Sequence, residues 1–349
     1  LKKVFYNFDI ERMKDSMRAA QIKRYSKNVQ ITINQLPIPK IGPSDVLVKV
    51  KAAAVNPLEQ LILTGSIRLI QDYRMPLTLG NECAGVVEQT GAEVTRFKAG
   101  DKVYTCLPLA KIGAFADYVA VDQDALAFMP KDCVFLTAAA IPLTGLTAYQ
   151  AFTEELEVRL GETVLITGGS GSFGEMAVPI AKALGVNVIV SGNERAKERM
   201  LHIGADRYLD YRKENYWEVL SEVDHVIDTL GAKEFEHELA VLRKGGRLLS
   251  LRTAPNKRFA EHSGFSLLKR LLFTAAGTLY DRKARRQGKE YRFMFVRADG
   301  KQLEKVTRIV EERQVRPRIS SSVFTLEQTA EAIRFMAHGH TDGKVIVRL

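Results

Sequence analysis

Cysteine is scarce in this chain. Only Cys83, Cys106 and Cys133 occur, and no CxxC pair is among them. That count excludes a disulfide framework and argues against a cysteine-rich zinc lobe. The opening, LKKVFYNFDIERMKDS (1–16), mixes charges with short apolar pieces and has no stretch resembling the core of a secretory signal. The apolar run beside the basic cluster, LLFTAAGTLY (271–280), is far too short to span a bilayer. No internal repeat and no low-complexity segment is found. The expectation is a soluble, cytoplasmic protein in a reducing setting, with no membrane contact.

What remains is ordinary globular material. The chain has 349 residues, 46% of them hydrophobic and 26% charged, which points to two domains with sizeable cores. The formal net charge of +10 permits nucleic-acid binding. However, the one dense basic patch, RKARRQGK (282–289), lacks the interleaved aromatics on which bases stack. An anionic cofactor is the preferred explanation, and no nucleic-acid partner is expected.

Two rhythms divide the chain. Residues 17–35 read as the start of a β-rich unit, with VQITI as a strand. The runs DVLVKVKAAAV (45–55), ECAGVVEQT (82–90), DKVYTCL (101–107) and FADYVAV (115–121) are short, rich in Val, Tyr and Phe, and separated by Gly, Pro and Asp. They predict a mostly antiparallel β domain. From about residue 140, strands alternate with amphipathic helices: TVLIT (163–167), a helix over 175–184, VNVIVS (186–191), a charged helix over 194–203, VDHVIDT (223–229), a helix over 232–243 and GRLLSL (246–251). That alternation predicts βαβ units around a parallel sheet. YRFMFVR (291–297) adds a strand, QLEKVTRIVEERQ (302–314) a helix, and the tail one helix and a last strand.

The sharpest motif is TGGSGSFGE (167–175), which falls after a strand and before a helix. Its Gly169-x-Gly171-x-x-Gly174 spacing, with Gly168, Ser170, Ser172 and Phe173 completing the loop, is a dinucleotide fingerprint. Small residues there let a pyrophosphate approach amide N–H groups at the helix N-terminus. Pro179 interrupts that helix pattern. NAD enzymes of this type end the second strand with Asp or Glu, to hold the ribose 2′-hydroxyl. Here it ends in Ser191, with Arg195 close behind. A hydroxyl and a cation suit a 2′-phosphate, so the cofactor is read as NADP(H). Glu194 argues the other way, and Arg199 reads as a solvated helix charge. Leu230 and Leu251, directly after VIDT and at the end of GRLLSL, are further cofactor candidates.

Taken in order, MRAAQI, KAAAVNPLE (51–59), LGNECAGVVEQTGAEVTRFKAGDKVY (79–104), AAAIPLTGLTAY (138–149), the glycine loop and GHTDGKVIV (339–347) resemble the zinc-free quinone oxidoreductase and enoyl reductase branch of the medium-chain dehydrogenase/reductase superfamily. The resemblance implies a GroES-like catalytic domain over 17–139 and 297–349, an NADP(H)-binding Rossmann domain over 140–296, and an appendage at 1–16. It also implies a homodimer. Zinc enzymes of the superfamily carry a Gly-His-Glu turn. This chain reads Gly80-Asn81-Glu82 there, has Asn56 near the first Cys position, and has no Cys in IPLTGLTAY. Asn amides are poor zinc ligands, so no metal is expected. His338 and His340 read as a polar turn, and Cys83 as a small buried side chain.

By the same resemblance, Asn56 lies beside the nicotinamide and substrate, Thr147 at the nicotinamide–phosphate side, Tyr211 near the adenosine phosphate, and Gly343 and Lys344 along the cofactor. Many relatives carry a substrate-mouth Tyr where this chain has Leu61; Tyr73 is the candidate replacement. The implied activity is NADPH-dependent reduction of a quinone or α,β-unsaturated carbonyl. The alternative is an NADPH-binding regulatory or RNA-binding protein with little turnover. The segment 252–292 exceeds a simple crossover; its partly apolar helix is expected to line the substrate cleft or cover a dimer interface.

Overall fold

The computed structural model describes residues 16–339 and 341–349, and the chain divides into two compact units. One takes the chain up to Leu143 with Arg297–Arg308 and Arg316–Leu349; the other takes Thr144–Val296 and Ile309–Val315. The expectation that 297–349 belongs wholly to the first unit needs correction. The helix Gly300–Glu312 carries Ile309 and the residues beyond it into the second unit, where Arg313 Nη2 donates to the Lys182 carbonyl at 2.8 Å. The appendage expected over 1–16 lies, but for Ser16, outside the described residues. So does His340; His338 is exposed.

The first unit begins with β1 (Ser16–Ile22), β2 (Thr32–Pro37), β3 (Asp45–Ala54), β4 (Leu77–Thr78), β5 (Glu82–Thr90), β6 (Lys102–Cys106), β7 (Tyr118–Asp122) and β8 (Leu126–Phe128). The second unit follows with β9 (Thr163–Thr167), β10 (Asn187–Gly192), β11 (Arg207–Asp210), β12 (Val223–Asp228), β13 (Leu242–Ser250) and β14 (Glu290–Phe293). The chain then returns with β15 (Ile319–Thr325) and β16 (Lys344–Arg348).

In the first unit, β15-β16-β3-β5-β6-β8 form one sheet, with β7 also paired to β3, and β2-β1-β4 form a small second sheet. All pairs are antiparallel except β15–β16. The second unit holds a six-stranded sheet of order β11-β10-β9-β12-β13-β14, parallel throughout. That is the doubly wound nucleotide-binding order, whose ligands sit beyond the carboxyl ends of the strands. Its central strand shows why it forms: Val164, Leu165 and Ile166 are all fully buried, the continuous apolar run of a strand covered on both faces.

The sequence missed the short β4 and β8 as well as β11 and β15, and it placed VQITI three residues ahead of the observed β2. Helical residues Phe135–Glu155 are long and apolar enough to cross a bilayer, but 72% of their most apolar window is buried inside the protein. They are core.

Candidate functional site

In the first unit, strand register assembles a buried polar cluster. Strand β3 ends in Ala52, Ala53 and Ala54, all fully buried. It leads through Asn56 into the helix Pro57–Leu63, which Pro57 opens where a missing N–H is tolerated. In the antiparallel ladders Cys83 of β5 faces Ala53, and Ile346 of β16 faces Ala54. Continuing those ladders brings Glu82 level with Ala54, and Lys344 level with Asn56.

Lys344 Nζ lies 2.9 Å from Glu82 Oε1 and donates to Asn56 Oδ1. Asn56 Nδ2 donates to Glu82 Oε1 at 2.9 Å, and the Leu143 N–H to Glu82 Oε2 at 2.7 Å. Glu59 accepts from the Asn56 N–H at 2.6 Å and from Asn81 Nδ2. All five side chains are buried, Lys344 to 4% exposure. Asn81 Oδ1 is the member of this cluster left without a partner. Among the described residues, no group of three His, Cys, Asp or Glu side chains is placed to hold a metal.

Burial, with a smaller contribution from the Glu82 charge, pushes the Glu59 carboxyl up to about 7, against the hydrogen bonds from Asn81 and Asn56. The folded protein therefore keeps a proton that the unfolded chain releases above about pH 4.5. Stability from this group is full below that pH and is lost as pH rises towards about 7. Glu59→Gln is expected to flatten that slope. Urea unfolding of both proteins at several pH values in the window checks it: parallel curves would show that Glu59 is ionised throughout.

Both proposed catalytic side chains are already hydrogen-bonded within the protein. Asn56 is tied as described, and the Tyr73 hydroxyl donates to the Leu109 carbonyl at 2.7 Å, with burial raising its pKa. Cys83 is fully buried, as a small packed side chain, and burial pushes its thiol up to about 12.

In the second unit, the glycine loop joins β9 to the helix Ser172–Ala183, which continues through Pro179. Two glycines are there for opposite reasons. A Cβ on Gly174 would stand 1.8 Å from the Gly169 carbonyl oxygen, whereas one on Gly171 would meet nothing within 4 Å. Gly174 lets helix and turn touch; Gly171 leaves open space beside the turn, as close approach of a phosphate requires. The turn is fixed from below. The Gly169 N–H donates to the Ser191 carbonyl at 3.0 Å. Asp228 Oδ1 accepts from the Leu230 and Gly231 amides at 2.7 and 2.6 Å, and Ser250 Oγ donates to Asp228 Oδ2 at 2.6 Å. Beside it, Thr167 Oγ1 donates to Glu238 Oε1 at 2.6 Å. Burial, reinforced by Asp228, pushes the Glu238 carboxyl up to about 9, so it is neutral at neutral pH.

A groove of about 430 Å³ opens at the carboxyl ends of these strands, lined among others by Gly168, Ser170, Ser191, Tyr211, Trp217 and Leu230. Tyr211 reaches it because it follows β11, its N–H donating to the Gly192 carbonyl at 3.2 Å. Five sequence candidates thus meet in one place. Leu251 is half-buried after β13, with its N–H on the Asp228 carbonyl at 3.0 Å. Arg195 is exposed on the turn after β10, outside the groove lining. Its neighbour Glu194 pairs with Lys213. Arg199 pairs with the buried Glu175, so it is a structural charge. Thr147 is buried in the helix Pro142–Gln150, while Gly343 and Lys344 belong to the first unit.

The sequence missed Trp217, which stacks on His237 with ring centroids 3.7 Å apart. It is the only tryptophan in the chain, and nothing local marks it as part of the groove.

Known proteins share this architecture. The family described as alcohol dehydrogenase GroES-like domain matches residues 42–131, and the one described as zinc-binding dehydrogenase matches residues 203–347. A mitochondrial NAD(P)H oxidoreductase of Danio rerio, RTN4IP1, is 30% identical over 359 residues, covering 95% of this chain and 91% of that protein. A 2-methylene-furan-3-one reductase of Solanum lycopersicum is 32% identical over 245 residues, covering 67% of this chain and 62% of that one. The solved structure of a quinone oxidoreductase from Coxiella burnetii superposes with a TM-score of 0.80 at 25% identity, over 96% of this chain and 99% of that chain.

Proposed function

Because the chain belongs to the zinc-free, quinone oxidoreductase-like branch of the medium-chain dehydrogenases/reductases, and is thus an oxidoreductase of a nicotinamide-dependent family, we propose that it reduces conjugated carbonyls or quinones with NADPH and without zinc. One observation carries the reading. Where zinc-containing members of the superfamily place metal ligands, this chain has two amides, Asn56 and Asn81, and Asn56 is bound to the Lys344 ammonium. Amides make poor zinc ligands. NADPH, when bound, supplies a hydride, and an enone or quinone takes it at carbon while charge delocalises onto oxygen. A hydrogen-bond donor at that oxygen then suffices, where a simple aldehyde requires a Lewis acid.

The groove in the second unit fits an adenine dinucleotide. Amides of the 170–174 turn are available to the pyrophosphate, the Gly169 N–H being taken by the Ser191 carbonyl, and Ser191 and Tyr211 line the groove. Arg195, with Glu194 drawn to Lys213, is the cation proposed for the 2′-phosphate. With the Asn56 and Tyr73 side chains engaged, the proton is assigned to solvent or the cofactor ribose.

The test follows coenzyme oxidation by chelator-treated protein with a simple α,β-unsaturated ketone and then a quinone. Rapid loss of NADPH, slow loss of NADH and indifference to chelation support the proposal; restoration of activity by zinc alone would end it. Arg195→Ala is expected to raise KM for NADPH about tenfold, as for one charge-assisted contact, and to leave NADH unaffected. An equal effect on both coenzymes would remove Arg195 from the 2′-phosphate.

A further inference from the structure

The segment 252–292 contributes an unusual surface to the second unit. Its main element is the 20-residue helix Leu267–Arg286, about 30 Å long at the usual rise. One side is anchored. Phe273, Gly277 and Ala284 are buried; a Cβ on Gly277 would stand 2.5 Å from the Asn256 Cα. Phe273 packs in an aromatic group with Phe259 and Phe265, and Tyr280 packs against Phe235 and Tyr291.

The other side is apolar and faces solvent. Leu268, Leu271, Leu272, Ala275, Ala276 and Leu279 recur at helical spacing and are all exposed, Leu268 at 68% and Leu271 at 60%. A row of exposed leucines over three turns is not ordinary surface scatter. Cations flank it at both ends: Lys269 and Arg270 near the start, Arg282, Lys283, Arg285 and Arg286 at the finish, against Asp281 as the only carboxylate of the helix. Asp281 is held by Asn256 at 2.9 Å.

We infer that this helix lies on an anionic phospholipid surface, with its leucine stripe in the headgroup–acyl boundary and its terminal cations on lipid phosphates. Charge decides the occupant. A second copy laid antiparallel on the stripe would set Arg282, Arg285 and Arg286 against Lys269 and Arg270, and a parallel copy would oppose like clusters. The carboxylates beside these cations are already engaged, Glu261 by Arg270, Glu236 by Lys283 and Asp281 by Asn256, so a second copy of the helix brings none to relieve the repulsion among Lys269, Arg282, Arg285 and Arg286. An anionic bilayer supplies both the apolar phase and the counter-charge. The inference departs from the expectation of no membrane contact, which rested on spanning length; lying in an interface needs none. It is independent of the reaction, because no substrate enters the measurement.

The experiment is co-sedimentation of the full chain with phosphatidylcholine vesicles with and without phosphatidylserine. Binding is expected only to the anionic vesicles and to weaken with salt. Leu271→Glu with Leu272→Glu should lower partitioning by about tenfold or more, and Arg285→Ser with Arg286→Ser roughly fivefold per cation. Unchanged thermal unfolding shows that each variant is folded. Absence of sedimentation, or equal sedimentation of the leucine variant, overturns the inference. So does self-association that the leucine substitutions abolish, which would assign the stripe to a second copy.

Discussion

Lys344→Met is expected to destabilise the protein by about 3–5 kcal/mol, the range for removing one partner of a buried ion pair. Among the described residues, Lys344 is the only cation in hydrogen-bonding contact with Glu82, and both are enclosed. Without the ammonium, Glu82 keeps only Asn56 Nδ2 and the Leu143 N–H, and it lies in the same cluster as Glu59, whose own carboxyl already resists ionisation. Adding Glu82→Gln removes the stranded charge and should recover much of the loss. Denaturant unfolding of the two single variants and the double variant closes the cycle. A double variant whose loss equals the sum of the two single losses would mean that the pair is not coupled.

Gly174→Ala is expected to reduce NADPH affinity by about a hundredfold, the equivalent of nearly 3 kcal/mol, and to destabilise the second unit as well. The added methyl has no free volume: its neighbour is the backbone oxygen of Gly169, 1.8 Å away, and backbone has no rotamer by which to yield. Either the helix Ser172–Ala183 withdraws or the turn opens, and both disperse the amides meant for phosphate. Gly171→Ala provides the contrast. Its methyl meets nothing within 4 Å, so the variant should fold as the parent does and still bind weakly, because the space it fills is the cofactor's. Quenching of Trp217, the lone tryptophan at the groove, reads affinity, and thermal unfolding reads stability. Equal destabilisation by the two alanines would refute the division of roles.

Much of this site was legible because local chemistry carries it. A glycine turn between an apolar strand and a helix needs no partner to be recognised, and Ser191 lies at the end of the strand pattern that follows it. Strands β11 and β15 were lost for a local reason too. RYLD has only four residues with charge at both ends, and ISSSVFT has three serines directly after Ile319, so neither carries the run of apolar residues that marks a strand. Trp217 was lost because the helix Tyr216–Val219 reaches the groove only once β11 pairs with β10.

The sequence by itself determined the two rhythms of the chain, the glycine-rich turn between β9 and its helix, and the asparagines where zinc-containing relatives carry metal-ligand types. Each of these depends on residues within a few positions of one another. Tertiary structure alone decided that Lys344 meets Asn56, 288 residues away, because that contact depends on which strands pair and in what register. It also decided which side of the helix Leu267–Arg286 stays outside. Spacing reveals that a leucine stripe exists; only packing against Phe259, Tyr291 and Asn256 determines that the opposite face is the buried one.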